Sequence, residues 1–98
     1  MIAKTYSKTT NKCRVTFRIP ADIETETISV LGEFNDWNPE AHQLKARKNG
    51  TFSTTLSLAT GQVYRFRYLA DGGTWLNDDD ADGLELNRFG TIDTVLLI

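Results

Sequence analysis

Apolar and polar residues alternate along most of this chain with the period of a half-buried strand. Val15, Phe17 and Ile19 alternate with Arg14, Thr16 and Arg18, which predicts a strand from Cys13 to Ile19 with one solvated side. Pro20 ends it, because proline has no N–H to give a ladder. Ala21 to Thr27 is a short acidic connection. Ile28, Val30, Gly32 and Phe34 predict a second strand that runs into Asn35-Asp36-Trp37-Asn38-Pro39, a polar turn with a tryptophan in it. A short strand around Leu44 and Ala46 follows, and Asn49-Gly50 is a two-residue hairpin signal, since both residues tolerate positive φ. Phe52, Thr54, Leu56 and Leu58 then oppose Thr51, Ser53, Thr55 and Ser57.

Gln62 to Ala70 is the strongest strand. Tyr64, Phe66, Tyr68 and Ala70 take one face, and Val63, Arg65, Arg67 and Leu69 take the other. Asp71-Gly72-Gly73 turns the chain and Thr74 to Asn77 resumes briefly. Asp78 to Phe89 reads as an acidic irregular loop, and Thr91 to Ile98 as a last strand, apolar on both faces. Residues 1–12, rich in Lys, Thr and Ser, read as a flexible arm or an edge strand. No segment holds a helical period. About seven short strands with regular turns predict an all-β fold, an immunoglobulin-like antiparallel β-sandwich over residues 13–98.

Ninety-eight residues suit one domain with one core. The formal net charge of −2 argues against nucleic acid as a partner, since phosphate binding needs a basic surplus, and the eleven basic residues look scattered along the chain. The single cysteine, Cys13, allows no internal disulfide and reads as a buried, inert thiol. No apolar run is long enough to cross a membrane, and the first residues lack the apolar core of a signal peptide. A cytoplasmic location is therefore expected, and Asn49-Gly50-Thr51 is discounted as a glycosylation acceptor.

Within this plan both tryptophans follow turns. Trp37 sits among Asn35, Asp36 and Asn38; Trp75 sits among Thr74, Asn77 and Asp78; Arg65 and Arg67 line the outer face of the strand between them. Flat apolar rings with amides, carboxylates and guanidinium groups around them describe a sugar platform. A pyranose has an apolar face of C–H groups that stacks on indole. Its rim of hydroxyls needs polar partners, because leaving one unpaired costs about 1–3 kcal/mol. The competing reading is that both indoles plug the sandwich core.

Gly32-Glu33-Phe34-Asn35-Asp36-Trp37-Asn38-Pro39, Tyr64-Arg65-Phe66-Arg67-Tyr68-Leu69-Ala70-Asp71-Gly72, Trp75-Leu76-Asn77-Asp78 and Asn87-Arg88-Phe89-Gly90 occur in that order. Together they closely resemble carbohydrate-binding module family 48, which includes the glycogen-binding domain of the AMP-activated protein kinase β subunit and the N-terminal domain of isoamylases and branching enzymes. The resemblance covers about Cys13 to Ile98 and implies the same sandwich fold, with glycogen, starch or a related α-1,4-glucan or maltooligosaccharide as ligand. It implies stacking platforms at Trp37 and Trp75 and a hydroxyl donor at Arg67, where the kinase subunit has Lys. The apolar residue that reaches over the glucan falls near Phe89, with Gly90 and Thr91 after it. The family's next polar contact, an Asn in the kinase subunit, falls on Asp93, which accepts but cannot donate. Asn35, Asp36 and Asn77 are expected either to bind hydroxyls or to hold the two turns in shape.

Other constellations are weaker. Asp78-x-Asp80-x-Asp82-Gly83 matches the first half of a calcium loop, but its twelfth position is Phe89 and no helices flank it. It reads as a solvated acidic loop. His42, the only histidine, has no nucleophile elbow to serve, and a glycosidase carboxylate pair has no cleft-forming second domain. No cofactor, metal or catalytic residue is expected. The favoured function is non-catalytic glucan binding, with a glycogen-metabolising enzyme as a candidate companion. The competing function is a protein-interaction module of a glycogen-metabolism or kinase assembly that has lost the sugar, using an exposed Val95 or Leu97 edge.

Overall fold

Alternation becomes two antiparallel sheets packed face to face in the computed structural model, which describes residues 2–78 and 81–98. In chain order the strands are β1 (Ile2–Tyr6), β2 (Lys12–Ile19), β3 (Ile28–Gly32), β4 (Lys45–Ala46), β5 (Phe52–Ala59), β6 (Val63–Ala70), β7 (Thr74–Leu76), β8 (Gly83–Leu86) and β9 (Ile92–Leu97). The first sheet has the order β1-β2-β5-β4. The second has the order β3-β6-β9-β8, and β7 pairs with β6 beyond the point where β9 stops. Strand β6 is thus the spine of the second sheet.

The core lies between the sheets. Cys13, Val15, Phe17 and Ile19 of β2 face Ile28 and Val30 of β3, Phe66 and Tyr68 of β6 and Leu96 of β9, all buried. Phe17 meets Phe66 edge-on, with ring centroids 5.1 Å apart. Removing each such side chain from water stabilises the fold by roughly 1.5–3 kcal/mol. Cys13 is buried, as expected of an inert thiol.

Several expectations need correction. Residues 2–6 are an edge strand paired with β2, which decides between the two readings of the N-terminal stretch. The second strand ends at Gly32, and Glu33–Asn35 form a single 3-10 turn where the alternation had suggested more strand. The hairpin at Asn49-Gly50 has a three-residue loop: Arg47 N–H donates to Thr51 C=O (2.7 Å), Gly50 N–H donates to Arg47 C=O (3.0 Å), and Gly50 has φ +87°. The acidic loop contains β8, a strand hidden from periodicity because its inward-parity residues Leu84 and Leu86 overhang the core and stay exposed. Finally, β9 lies between β6 and β8, so it is not an edge and Val95 is buried. Strand addition at Val95 is closed, whereas Leu97 is exposed with its N–H bound to the Asp82 carboxylate (2.7 Å).

Candidate functional site

The stretch Gly32 to Trp37 works residue by residue. A Cβ on Gly32 would sit 2.6 Å from the Arg65 carbonyl oxygen and 2.7 Å from Phe66 Cβ, so only glycine lets β3 approach β6 here. Glu33 Oε1 accepts the Arg65 N–H (2.7 Å), replacing the ladder bond lost where β3 ends. Phe34 folds back onto the core edge, its ring centroid 5.7 Å from that of Phe17 and 5.9 Å from that of Tyr64. Asn35 ties the knot. Its Oδ1 accepts the Gly32 N–H (3.0 Å), and its Nδ2 donates to Val30 C=O (3.0 Å) and lies 2.9 Å from His42 Nδ1. Asp36 and Trp37 then both take left-handed conformations, φ +55° and +58°, and Trp37 N–H closes the turn on Gly32 C=O (3.0 Å). A bulky residue adopts that conformation only when its surroundings over-determine it. The result is a half-buried Trp37 delivered to the rim of the second sheet.

Trp75 arrives by another route. It lies on β7 opposite Leu69, past a type I′ turn in which Asp71 and Gly72 have φ +52° and +72°. Its ring is 46% exposed. Behind it the chain is pinned by a polar network that runs from exposed Asn77 inward to buried Asp78 and Thr94. Asn77 Nδ2 donates to Ile92 C=O (3.0 Å), Thr94 Oγ1 donates to Asn77 Oδ1 (2.7 Å), and Asp78 N–H donates to Thr94 Oγ1 (3.1 Å). Tyr68 O–H donates to the Asp78 carboxylate (2.8 Å). Burial, and then the neighbouring Asp78 charge and hydrogen bond, push the Tyr68 phenol far above its usual range, so it remains a donor.

Arg67 joins the two indoles. Its guanidinium carbon lies 4.5 Å from the centre of the Trp75 ring and 5.9 Å from that of Trp37, both within cation–π range. Both rings therefore serve the same side of the domain. Arg67 Nε is 3.3 Å from Asp93 Oδ1 in a largely buried ion pair that is not aligned as a hydrogen bond. Asn87 Nδ2 donates to the same Asp93 oxygen (3.1 Å). Asn87 also organises the β8–β9 hairpin: its Oδ1 accepts the N–H groups of Phe89 (2.9 Å) and Thr91 (3.2 Å), and its Nδ2 donates to Thr91 Oγ1 (2.7 Å). Phe89 stands at the tip, 77% exposed. An open groove of about 440 Å³ runs between these elements, lined by Trp37, Arg67, Phe89 and Asp93 together with Asn87 and Arg88.

Of the residues singled out in the sequence, Trp37, Arg67, Phe89 and Asp93 line one groove, and Trp75 joins them through Arg67. Asn35 and Asn77 spend their amides within the chain, which is the turn-holding of their two expected roles. Thr91 lies at the foot of the hairpin, its hydroxyl accepting from Asn87. Sequence reasoning passed over Asn87 and Glu33, although both stand inside the quoted motifs. Arg65, read as a solvated or sugar-facing group, pairs with Glu85 at 3.0 Å. The acidic loop is not simply solvated: Asp78 is buried, and Asp82 is bound by Lys4 (2.7 Å) and by Leu97 N–H (2.7 Å). Asp80 of the calcium-like pattern lies outside the described residues. Among the described residues no cluster of His, Cys, Asp and Glu is arranged to hold a metal ion.

A family profile described as the glycogen recognition site of AMP-activated protein kinase matches residues 15–98. The chain belongs to carbohydrate-binding module family 48. Two 1,4-alpha-glucan branching enzymes GlgB from Rhodopseudomonas palustris are also similar to part of the module. That of strain HaA2 is 40% identical over 50 residues, and that of strain BisB5 is 38% identical over 50 residues. Each alignment covers 50% of this chain and 7% of the enzyme, so the module corresponds to a small part of those relatives.

Proposed function

We propose that the module binds glycogen- or starch-type α-1,4-glucans without chemistry of its own, stacking glucose rings on Trp37 and Trp75. Arg67 donates to sugar hydroxyls between the rings, Asp93 accepts, and Phe89 leans over the chain from the hairpin tip. The observation that supports this reading most is the shared guanidinium: one cation lies within 6 Å of both indole centres on one face of the sandwich. An indole beside a sugar ring buries apolar C–H surface, and the polar groups along the groove meet the hydroxyl rim. The family profile and the glucan-enzyme relatives point the same way.

Because Trp37 and Trp75 are the only tryptophans, intrinsic tryptophan fluorescence reports on the two proposed platforms alone. Titration with maltoheptaose should quench or shift it in the wild-type chain. Trp37→Ala and Trp75→Ala should each weaken binding about tenfold or more, the loss expected when about 1.4 kcal/mol of stacking is removed. No response at millimolar maltoheptaose, with the fold intact by circular dichroism, would remove this function. Release of reducing ends from glycogen would overturn its non-catalytic part.

A further inference from the structure

The basic residues are segregated along the chain, and of those on strands all but Arg65 and Arg67 of β6 lie on the first sheet. Residues 1–21 and 41–70 hold ten of the eleven basic residues and no Asp or Glu. Every strand of the first sheet comes from those two stretches. On that sheet the inward residues of β2 are buried and apolar, so Lys12, Arg14, Thr16 and Arg18 form its outer row. In register beside them lie Ser57, Thr55 and Ser53 of β5, then Lys45 of β4. Thr16 and Thr55 share a hydrogen bond of 2.9 Å, and Arg47 Nε donates to Ser53 Oγ (2.8 Å). Two shallow grooves of about 680 and 350 Å³ cross this face, and among the described residues no carboxylate lines either.

The complement is on the same molecule. Glu24, Glu26 and Asp71 line an open acidic groove of about 490 Å³, formed by the β2–β3 loop and the turn after β6. Glu85 has Arg65, Asp93 has Arg67, and Glu33 has the Arg65 N–H, while Asp71 itself accepts the N–H groups of Glu26 (2.8 Å) and Thr27 (2.9 Å), so Glu24 and Glu26 carry the outward charge of this groove. Asp82 likewise has Lys4. The β2–β3 loop is thus an exposed acidic surface whose charge complements the basic sheet.

We propose that the outer face of the first sheet docks the acidic β2–β3 loop of a second copy of this chain. The contact joins two different surfaces, so it repeats head to tail rather than closing as a symmetric pair. It leaves the groove on the second sheet open to glucan, and it stands apart from the sugar-binding reading.

Sedimentation of the wild-type chain at rising concentration tests it. In low salt the average mass should climb above the 11.0 kDa monomer and return to it at about 0.5 M salt, where charges are screened within a few ångströms. R14E/K45E and E24K/E26K change exposed side chains and should each remain monomeric. Mixed together they should associate again, because the intact acidic loop of one meets the intact basic face of the other and the two reversed surfaces are themselves complementary. Circular dichroism and thermal melting of both variants should match the wild type, which verifies their folding. A wild type that stays monomeric in low salt, an R14E/K45E chain that associates as the wild type does, or a silent mixture would each overturn the proposal. So would a wild type that ignores its own copies yet binds poly-L-glutamate or duplex DNA through Arg14 and Lys45, since the face would then serve a foreign polyanion.

Discussion

The two tryptophans reach one guanidinium by different physics. Trp37 is held by its own neighbourhood: Gly32, Glu33, Phe34 and Asn35 make a local knot that forces a left-handed backbone at Asp36 and Trp37. Trp75 sits on a three-residue strand with little local support, and its stability comes from partners distant in sequence, Tyr68 on β6 and Thr94 on β9. A local device writes itself into a compact motif. A distributed one leaves only ordinary residues at ordinary strand positions. The site is therefore half motif and half tertiary network, and the halves should fail separately.

The strongest way to break the first half is Gly32→Ala. A Cβ there meets backbone and a strand Cβ, neither of which is a flexible end that can move aside. Destabilisation of about 3 kcal/mol is expected, at the upper end of overpacking costs, read as a lowered urea midpoint. The second half breaks with Tyr68→Phe, which strips the buried Asp78 carboxylate of its phenol donor. That should cost about 2 kcal/mol. In a Trp37→Phe background, emission from Trp75 should shift to the red, while in a Trp75→Phe background the Trp37 emission should hold. Asn35→Ala reverses the pattern: it leaves the Gly32 N–H and Val30 C=O without their side-chain partner, costs about 1–2 kcal/mol, and loosens Trp37 before Trp75.

Acid supplies the gentlest test. The N–H of Thr27, with the Thr25 hydroxyl and the Glu26 N–H, holds the Asp71 carboxyl below the usual carboxylate range. Burial pushes Asp82 up, but the Leu97 N–H and Lys4 together outweigh it and leave its carboxyl low as well. Both folded values lie below the unfolded one, near 3.9. The stability these groups contribute is therefore complete above about pH 4 and is lost as pH falls through the folded values. Asp71 opens the turn into β7 and neither group touches the Trp37 knot, so the Trp75 signal should respond to acid first. Asp71→Asn should flatten that response, measured by thermal melts between neutral pH and about pH 3.

Much of the fold was legible because a sandwich core demands alternation: β2 alternates throughout, and β5 and β6 do so over most of their length. Strand β8 was not legible, because its apolar residues lie past the edge of the opposing sheet and no burial disciplines their pattern. Phe34 has the parity of a strand residue yet belongs to a 3-10 turn, because an aromatic ring closing the end of a core satisfies the same hydrophobic rule as one in the row. In the site, Trp37, Trp75 and Arg67 stood out by residue type and position. The roles of Glu33 and Asn87 did not, because a side chain that satisfies backbone N–H groups looks no different in sequence from one exposed to solvent.

By itself the sequence determined the strand periodicity and the polar turn that carries Trp37, since each depends on residues within a few positions of one another; that Gly32 admits β6 depends on Arg65 and Phe66 across the sheet. Only the tertiary structure decided that one guanidinium lies by both indoles, that Asp93 is committed to Arg67 and Asn87, and that Lys12, Arg14, Arg18 and Lys45 share one outer face. Those are contacts across strands far apart in the chain, and their geometry exists only once register and packing have brought the strands together.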